Sequence, residues 1–328
     1  MKVLVTGGAG FTGSCLSKQL CEQGYEVKAL VRDKKKGAKV LDGYDIEMVE
    51  GDITDTNSVE RAVNGVGKVF HIAAAFRVAG IADQVYWDVN VGGTEKLLDI
   101  SLRNNVEKFV LCSTVGVHGN IKDGPADETY RFSPGDIYQE TKAAAEVKAL
   151  SFGRKHGLPV TVIRPCPIYG PGDLRLLKLY RLANRKVVPV LGSGKIYFHM
   201  VYVEDLARAF ILASDAEAAN GEVFIVGGSD ALMLDDLIDL IAKQLDNNPL
   251  KIHIPAKPFQ WLGHLCERVC IPMGIEPPIY RRRVDFFTKS RLFDITKARA
   301  LLNYSPEVSL AEGIRNTANW YKEQGYLK

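Results

Sequence analysis

No stretch of this 328-residue sequence is apolar for long enough to span a bilayer, so no integral membrane segment is expected. Charge of one sign is equally scarce. The 42 Lys and Arg set against 39 Asp and Glu leave a net +3, too little to imply a nucleic acid or a membrane surface as partner. Six cysteines are scattered along the chain, and the nearest two, Cys266 and Cys270, form a C-x3-C with no second cysteine pair to complete four ligands. That argues against a disulfide framework and a metal site, and reads as buried thiols in a cytoplasmic protein. A secretory leader is not expected either, because MKVLVTGG runs into strand-like residues and reaches glycine by position 7. Internal repeats and low-complexity stretches do not stand out.

What the chain does have is ordinary globular composition, 46% hydrophobic and 25% charged, at a length that suits two domains or one large domain with an appendage. Short apolar runs recur at 2–6, 27–31, 46–50, 68–73, 108–113 and 160–164, with amphipathic segments such as 89–104 and 137–156 between them. This alternation predicts an α/β fold of Rossmann type, a doubly wound parallel sheet covered by helices on both faces. The rhythm breaks after Arg164, where Pro165, Pro167, Gly170, Pro171 and Gly172 mark a loop. Residues 201–213 read as a helix and 222–228 as a further strand. The expected division is a nucleotide-binding domain over 1–173, to which 199–228 returns. A smaller, mostly helical substrate lobe is expected from 174–198 and 229–328.

TGGAGFTG at 6–13 follows the first strand and opens a helix, with Gly7, Gly10 and Gly13 spaced G-x-x-G-x-x-G around Phe11 and Thr12. Glycines permit a tight turn and close approach of a diphosphate, which the helix N-terminus then attracts. A purely structural turn is the alternative, and the strand–turn–helix context favours a dinucleotide. The second strand ends at Val31, followed by Arg32 and Asp33. An arginine there suits the 2′-phosphate of NADP, with Lys36 or Lys39 as a second cation, so NADP is preferred and NAD remains possible. In the other arrangement Arg32 is merely exposed and Asp33 takes the ribose of NAD. Beyond the third strand, Asp52 and Ile53 are placed to meet the adenine.

DIYQETK at 136–142 sets Tyr138 and Lys142 four residues apart on one helix face. That spacing fits a plain surface contact as well as a proton-handling pair. Together the motifs decide. TGGAGFTG, HIAAA (71–75), NVGGT (90–94), CSTVGVHG (112–119), YQETK (138–142), IRPCPIYGPGD (163–173) and VYVEDLARA (201–209) closely resemble the extended short-chain dehydrogenase/reductase family, also known as the NAD-dependent epimerase/dehydratase family.

The resemblance implies that Tyr138 is the general acid/base. Lys142 would hold the nicotinamide ribose and draw the phenol pKa down from about 10. Thr114 would bond the reacting oxygen, with Ser113 its neighbour in register and a cofactor contact. His71, Ala73 and Ala74 would line the cofactor channel, Asn90 would tie the central strands together, and Pro165 would lie near the nicotinamide amide. A homodimer through helices 89–104 and 137–156 is also implied.

Departures from the family pattern narrow the chemistry. The acid pair that dehydratases carry after the catalytic threonine is here Val115 and Gly116, which points away from dehydration. Ile196 and Phe198 stand where nucleotide-sugar enzymes commonly carry Gln and Arg, which suggests a more apolar substrate. One of Arg281, Arg282 or Arg283 could still reach a diphosphate. Phe76, Arg77 and Tyr169 are expected beside the substrate, and 258–274 to pack in the lobe, cover the cleft or touch a membrane. His118 and His199 read as packed or solvent-facing histidines, and Cys166 as a minor candidate for a second acid/base.

The expected activity is therefore NAD(P)-dependent hydride transfer on a small, fairly apolar hydroxy or keto substrate, as in dihydroflavonol reductases and 3β-hydroxysteroid dehydrogenases. The alternative is a nucleotide-sugar 4-epimerase with tightly bound NAD. A non-catalytic cofactor sensor would not need Thr114, Tyr138 and Lys142 together.

Overall fold

The computed structural model describes residues 1–76, 80–270 and 281–327, without the side chains of Gln260, His264, Leu265, Glu267, Val269 and Arg281–Arg283. Arg77, residues 271–274 and the three arginine side chains at 281–283 therefore lie outside the described residues.

Seven parallel strands form the central sheet: β1 (Lys2–Thr6), β2 (Glu26–Val31), β3 (Ile46–Glu50), β4 (Lys68–His71), β5 (Lys108–Cys112), β6 (Val160–Pro165) and a last strand, Val223–Val226. Their spatial order is β3-β2-β1-β4-β5-β6 followed by Val223–Val226. The order reverses between β1 and β4, and in open α/β sheets the crevice at such a point receives the ligand. Pleating sends alternate residues to opposite faces, which is why the sheet's apolar runs need no polar gaps. Val3, Val5, Phe70 and Val110 pack with Leu16, Leu206 and Phe210 on one side. Leu4, Val69, Phe109 and Leu111 pack with Val59, Leu97 and Ala149 on the other.

Helix Phe11–Glu22 starts at the glycine turn, and helix Ile137–His156 starts at Asp136, whose carboxylate accepts from Gln139 N. The segment read as one amphipathic helix at 89–104 is helical from Asp83 to Arg103, but a π-helical turn occupies Trp87–Gly92. Such bulges cluster at functional sites, and this one carries Asn90.

The 201–213 stretch begins with two extended residues, Val201 and Tyr202, paired with Ile168 and Tyr169 before the helix Val203–Asp215. A third core joins Tyr180, Val190, Leu237, Ile241, Ile314 and Tyr321. The helical C-terminal region also holds two strand pairs, Val187–Leu191 with Leu250–Ile254 and Tyr197–His199 with Ala231–Met233. Phe293, Ile295, Ala298 and Leu302 pack instead into the sheet-side core. Among the described residues, no helix is long and apolar enough to cross a membrane.

Candidate active site

The turn after β1 needs its glycines for measurable reasons. Gly7 has φ +68°, a region L side chains rarely adopt, and a Cβ on Gly13 would lie 2.1 Å from Gly7 O. Gly10 precedes helix Phe11–Glu22 and supplies no side-chain cap, so the first backbone N–H groups are left for an anion. Gly7 and Gly10 line a cavity of about 630 Å³ at the C-terminal ends of β1 to β4. Phe11, Thr12 and Gly13 form the start of the helix behind them.

Arg32, Lys36, Asp52 and Ile53 line the same cavity, as do Ala73 and Ala74. Lys39, the other candidate cation, is not on its wall; it lies in the last turn of helix Lys34–Val40. Asp33 also lines the cavity, but its Oδ1 accepts from Lys36 N at 3.0 Å and caps that helix. The exposed Arg32 makes no hydrogen bond or ion pair with a described residue. Asp52 Oδ1 accepts from Thr54 N and from the Thr54 hydroxyl.

His71 does not line the channel. It is 1% exposed and held between Thr6 Oγ1 at 2.8 Å and Thr94 Oγ1 at 3.0 Å. Thr6 Oγ1 already accepts from Ile72 N and Ala73 N, so its hydroxyl donates to His71 Nδ1. Thr94 donates to Asn90 O, so His71 Nε2–H donates to Thr94. The ring is thus a neutral Nε2–H tautomer, and burial, with the nearby Lys142 charge, pushes its pKa down to about 3.

Asn90 likewise has a different duty from the one expected. It does not join strands. Its amide exchanges two bonds with Ala75, Nδ2 to O at 3.2 Å and Oδ1 from N at 2.8 Å, and Nδ2 also donates to Thr141 Oγ1. The side chain ties the loop after β4 to helix Ile137–His156 and has no N–H left for a cofactor.

That helix carries Tyr138 and Lys142. The Tyr138 ring meets Phe76 edge-on with centroids 4.8 Å apart. Lys142 is 2% exposed, yet its Nζ makes no hydrogen bond or ion pair with a described residue. Burial holds its pKa below the usual lysine value, and its charge is felt by His71 and Cys112, the last residues of β4 and β5. An unpaired buried ammonium is costly, and it suits a site that receives hydroxyl acceptors from a bound ribose.

The two register candidates separate cleanly. Ser113 is 2% exposed and donates to Glu146 Oε2 at 2.7 Å, inside a buried cluster where Glu146 also pairs with Arg164. Thr114 is partly exposed, begins the short 3-10 turn Val115–His118, and accepts from Gly116 N at 3.0 Å, which leaves its O–H free to donate. A Cβ on Gly116 would come within 3.2 Å of both Thr114 Oγ1 and Gln139 Nε2, so that turn abuts the first turn of the Tyr138 helix.

Other candidates are structural. Pro165 is buried beside Val226 and, like Thr114, Tyr138 and Lys142, is off the wall of this cavity. Cys166 is 1% exposed, and burial pushes its thiol well above the usual range. Tyr169 is 2% exposed and packs on Tyr202 and Gly313, and Phe198 is 2% exposed under Phe286 and the Arg291 guanidinium. Neither borders a cleft, because both belong to the lobe core. His118 accepts from Arg164 Nη1 at 3.0 Å and faces Arg131 O, while His199 sits between Phe293 O and Gly228 O. Both are packed histidines whose pKa burial lowers. Among the described residues, no group of His, Cys, Asp and Glu is arranged to hold a metal.

Sequence reasoning missed Thr6, Thr94 and Thr141, which orient the named residues. All three lie inside the motifs TGGAGFTG, NVGGT and YQETK, but a motif does not tell which way a hydroxyl points.

The Rossmann sheet, the glycine cradle and the buried lysine define an NAD(P)-dependent enzyme. The NAD dependent epimerase/dehydratase family matches residues 3–227, and the chain belongs to that family. Sterol-4-alpha-carboxylate 3-dehydrogenase, decarboxylating, of Schizosaccharomyces pombe is 30% identical over 337 residues, 98% of this chain and 97% of that one. The 2-alkyl-3-oxoalkanoate reductase of Stenotrophomonas maltophilia is 29% identical over 327 residues, 96% of this chain and 98% of that one. The crystal structure of UDP-glucose 4-epimerase from Thermotoga maritima with UDP-glucose aligns over 99% of both chains, with TM-score 0.79 and 27% identity. The activity is thus of the oxidoreductase or epimerase type.

Proposed function

We propose that this protein is an NADP(H)-dependent dehydrogenase/reductase acting at the alcohol or carbonyl carbon of a fairly apolar hydroxy or keto substrate. The observation that carries this reading is Lys142, a buried ammonium one helical turn beyond Tyr138 with no hydrogen-bond or ion-pair partner among the described residues. When bound, the nicotinamide supplies the hydride or accepts it. Lys142 holds the ribose hydroxyls, Tyr138 gives a proton to the carbonyl oxygen in reduction or takes it back in oxidation, and Thr114 donates to the same oxygen. Gly7, Gly10, Phe11, Thr12 and Gly13 form the diphosphate cradle, with Asp52 and Ile53 at the adenine.

NADP is favoured over NAD because Arg32 and Lys36 bring two cations to the cavity, while Asp33 is engaged as a helix cap. The apolar substrate is supported by Phe76, 39% exposed against Tyr138, and by the substrates that the sterol and oxoalkanoate relatives' names state. The likeness to UDP-glucose 4-epimerase keeps a nucleotide-sugar 4-epimerase as a second reading. The substrate lobe is proposed to comprise 174–198 and 229–328, with Phe293, Ile295, Ala298 and Leu302 packed against the sheet-side core. A homodimer in the cytoplasm is proposed through helices 89–104 and 137–156, the second of which exposes Val147.

The test is to identify the copurifying dinucleotide, then follow NADPH and NADH consumption with keto substrates and with UDP-sugars. Net NADPH turnover on apolar ketones is the expected result. Retained NAD with UDP-sugar interconversion and no net turnover would overturn it. Tyr138→Phe should lose at least about 100-fold in rate while binding cofactor normally; full activity would remove Tyr138 from its role.

A further inference from the structure

The rings of Phe11 and Phe76 share one guanidinium. Arg175 Cζ lies 5.2 Å from the Phe11 centroid and 5.6 Å from the Phe76 centroid, and Phe76 in turn abuts Tyr138. Phe11 follows Gly10 and Phe76 follows Ala75, and both Gly10 and Ala75 line the cavity. The stack therefore joins two rims of the groove, the glycine turn and the loop after β4, and ends on Tyr138.

Arg175 is fixed for this position. Asp173 Oδ1 accepts from its backbone N at 3.0 Å and from Nε at 2.6 Å, and Ile168 O accepts from Nη2 at 2.9 Å. Asp173 is itself 2% exposed, and the Tyr321 hydroxyl donates to its carbonyl. Gly172, at φ +96°, lets the loop approach so closely that a Cβ there would lie 3.4 Å from the Phe11 ring. Nη1 makes no hydrogen bond with a described residue. A planar guanidinium can stack on two rings while its edge bonds an anion, which an ammonium cannot.

We propose that Arg175 is a positioning residue that latches the cofactor groove. It clamps the glycine turn to the Phe76 loop, slows escape of the bound dinucleotide, leaves Nη1 for its diphosphate, and sets Phe76 against Tyr138. This rests on the reading of the cavity as an NAD(P) site.

The experiment is stopped-flow release of NADPH from the full-length protein, read by nicotinamide fluorescence, with the melting temperature of the unliganded protein as a control. Arg175→Ala is expected to release NADPH about tenfold faster, equivalent to about 1.4 kcal/mol of lost retention, with the unliganded melt unchanged. Phe76→Leu should speed release in the same direction and serves if Arg175→Ala folds poorly. Arg175→Lys, which keeps charge but not the plane, should behave like Arg175→Ala. Wild-type release rates in Arg175→Ala and Phe76→Leu, or full rescue by Arg175→Lys, would overturn the latch. Failure of the wild-type protein to bind either dinucleotide would instead remove the cofactor reading beneath it.

Discussion

Asn90 Nδ2 donates to Thr141 Oγ1 at 2.9 Å, so one amide fastens the residue next to Lys142 to the loop that edges the cavity. Thr141 cannot reciprocate, since its own hydroxyl is directed at the Ile137 and Tyr138 carbonyls. Replacing Asn90 by Ala leaves the Ala75 N–H and C=O unpaired. We expect a loss of about 1–3 kcal/mol in urea unfolding. A fall in kcat should accompany it, because the Tyr138 helix and the Phe76 loop lose their common anchor. Unchanged stability and kcat would show that the amide anchors neither.

Thr114 and Ser113 should part company on mutation. Thr114→Val removes the donor proposed for the reacting oxygen and should lower kcat about 100-fold at near-wild-type stability. Ser113→Ala removes a donor to buried Glu146 and should cost about 1 kcal/mol of stability with kcat nearly intact. Steady-state kinetics beside a denaturation curve tells the two apart, and the reverse pattern would move the catalytic hydroxyl to Ser113.

Cofactor choice is expected to follow Arg32. Arg32→Ala should raise the NADPH KM about tenfold and leave that for NADH nearly unchanged, since only the 2′-phosphate needs the guanidinium. Equal effects on both dinucleotides would argue against a phosphate contact and for Asp33 at the ribose.

His71 makes stability depend on acid. Its folded pKa is depressed from 6.5 to about 3, so above pH 6.5 the ring is neutral in both folded and unfolded chains. Below that, only the unfolded chain takes up the proton, and stability falls by up to about 1.4 kcal/mol per pH unit until the folded pKa is reached. His71→Gln should be less stable at pH 7 but show a shallower decline between pH 6 and pH 4 in parallel melts. Parallel slopes would mean that another group governs this range.

Much of this was legible in one dimension. The runs at 2–6 and 46–50 and the helix at 137–156 fall where the structure has them, because β-branched runs and alanine-rich amphipathic stretches are strong local signals. The glycine spacing was equally readable, since backbone sterics fix which positions refuse a side chain. Direction of side chains was not. Tyr169 and Phe198 were expected to bear on the substrate, and both turn into the lobe core. Ser113 and Thr114 are neighbours, yet the pleat at the end of β5 sends one to Glu146, 33 residues on, and leaves the other partly exposed.

By itself, the sequence determined the parallel sheet, the glycine turn and the shared face of Tyr138 and Lys142, because each depends on contacts within a few residues or on a repeating period. The tertiary structure alone decided that Lys142 is buried with no hydrogen-bond or ion-pair partner among the described residues, that His71 is neutral and that Asn90 binds a helix to a loop. Those outcomes depend on which atoms of distant segments meet in a water-poor interior, where hydrogen bonding and desolvation set charge and orientation.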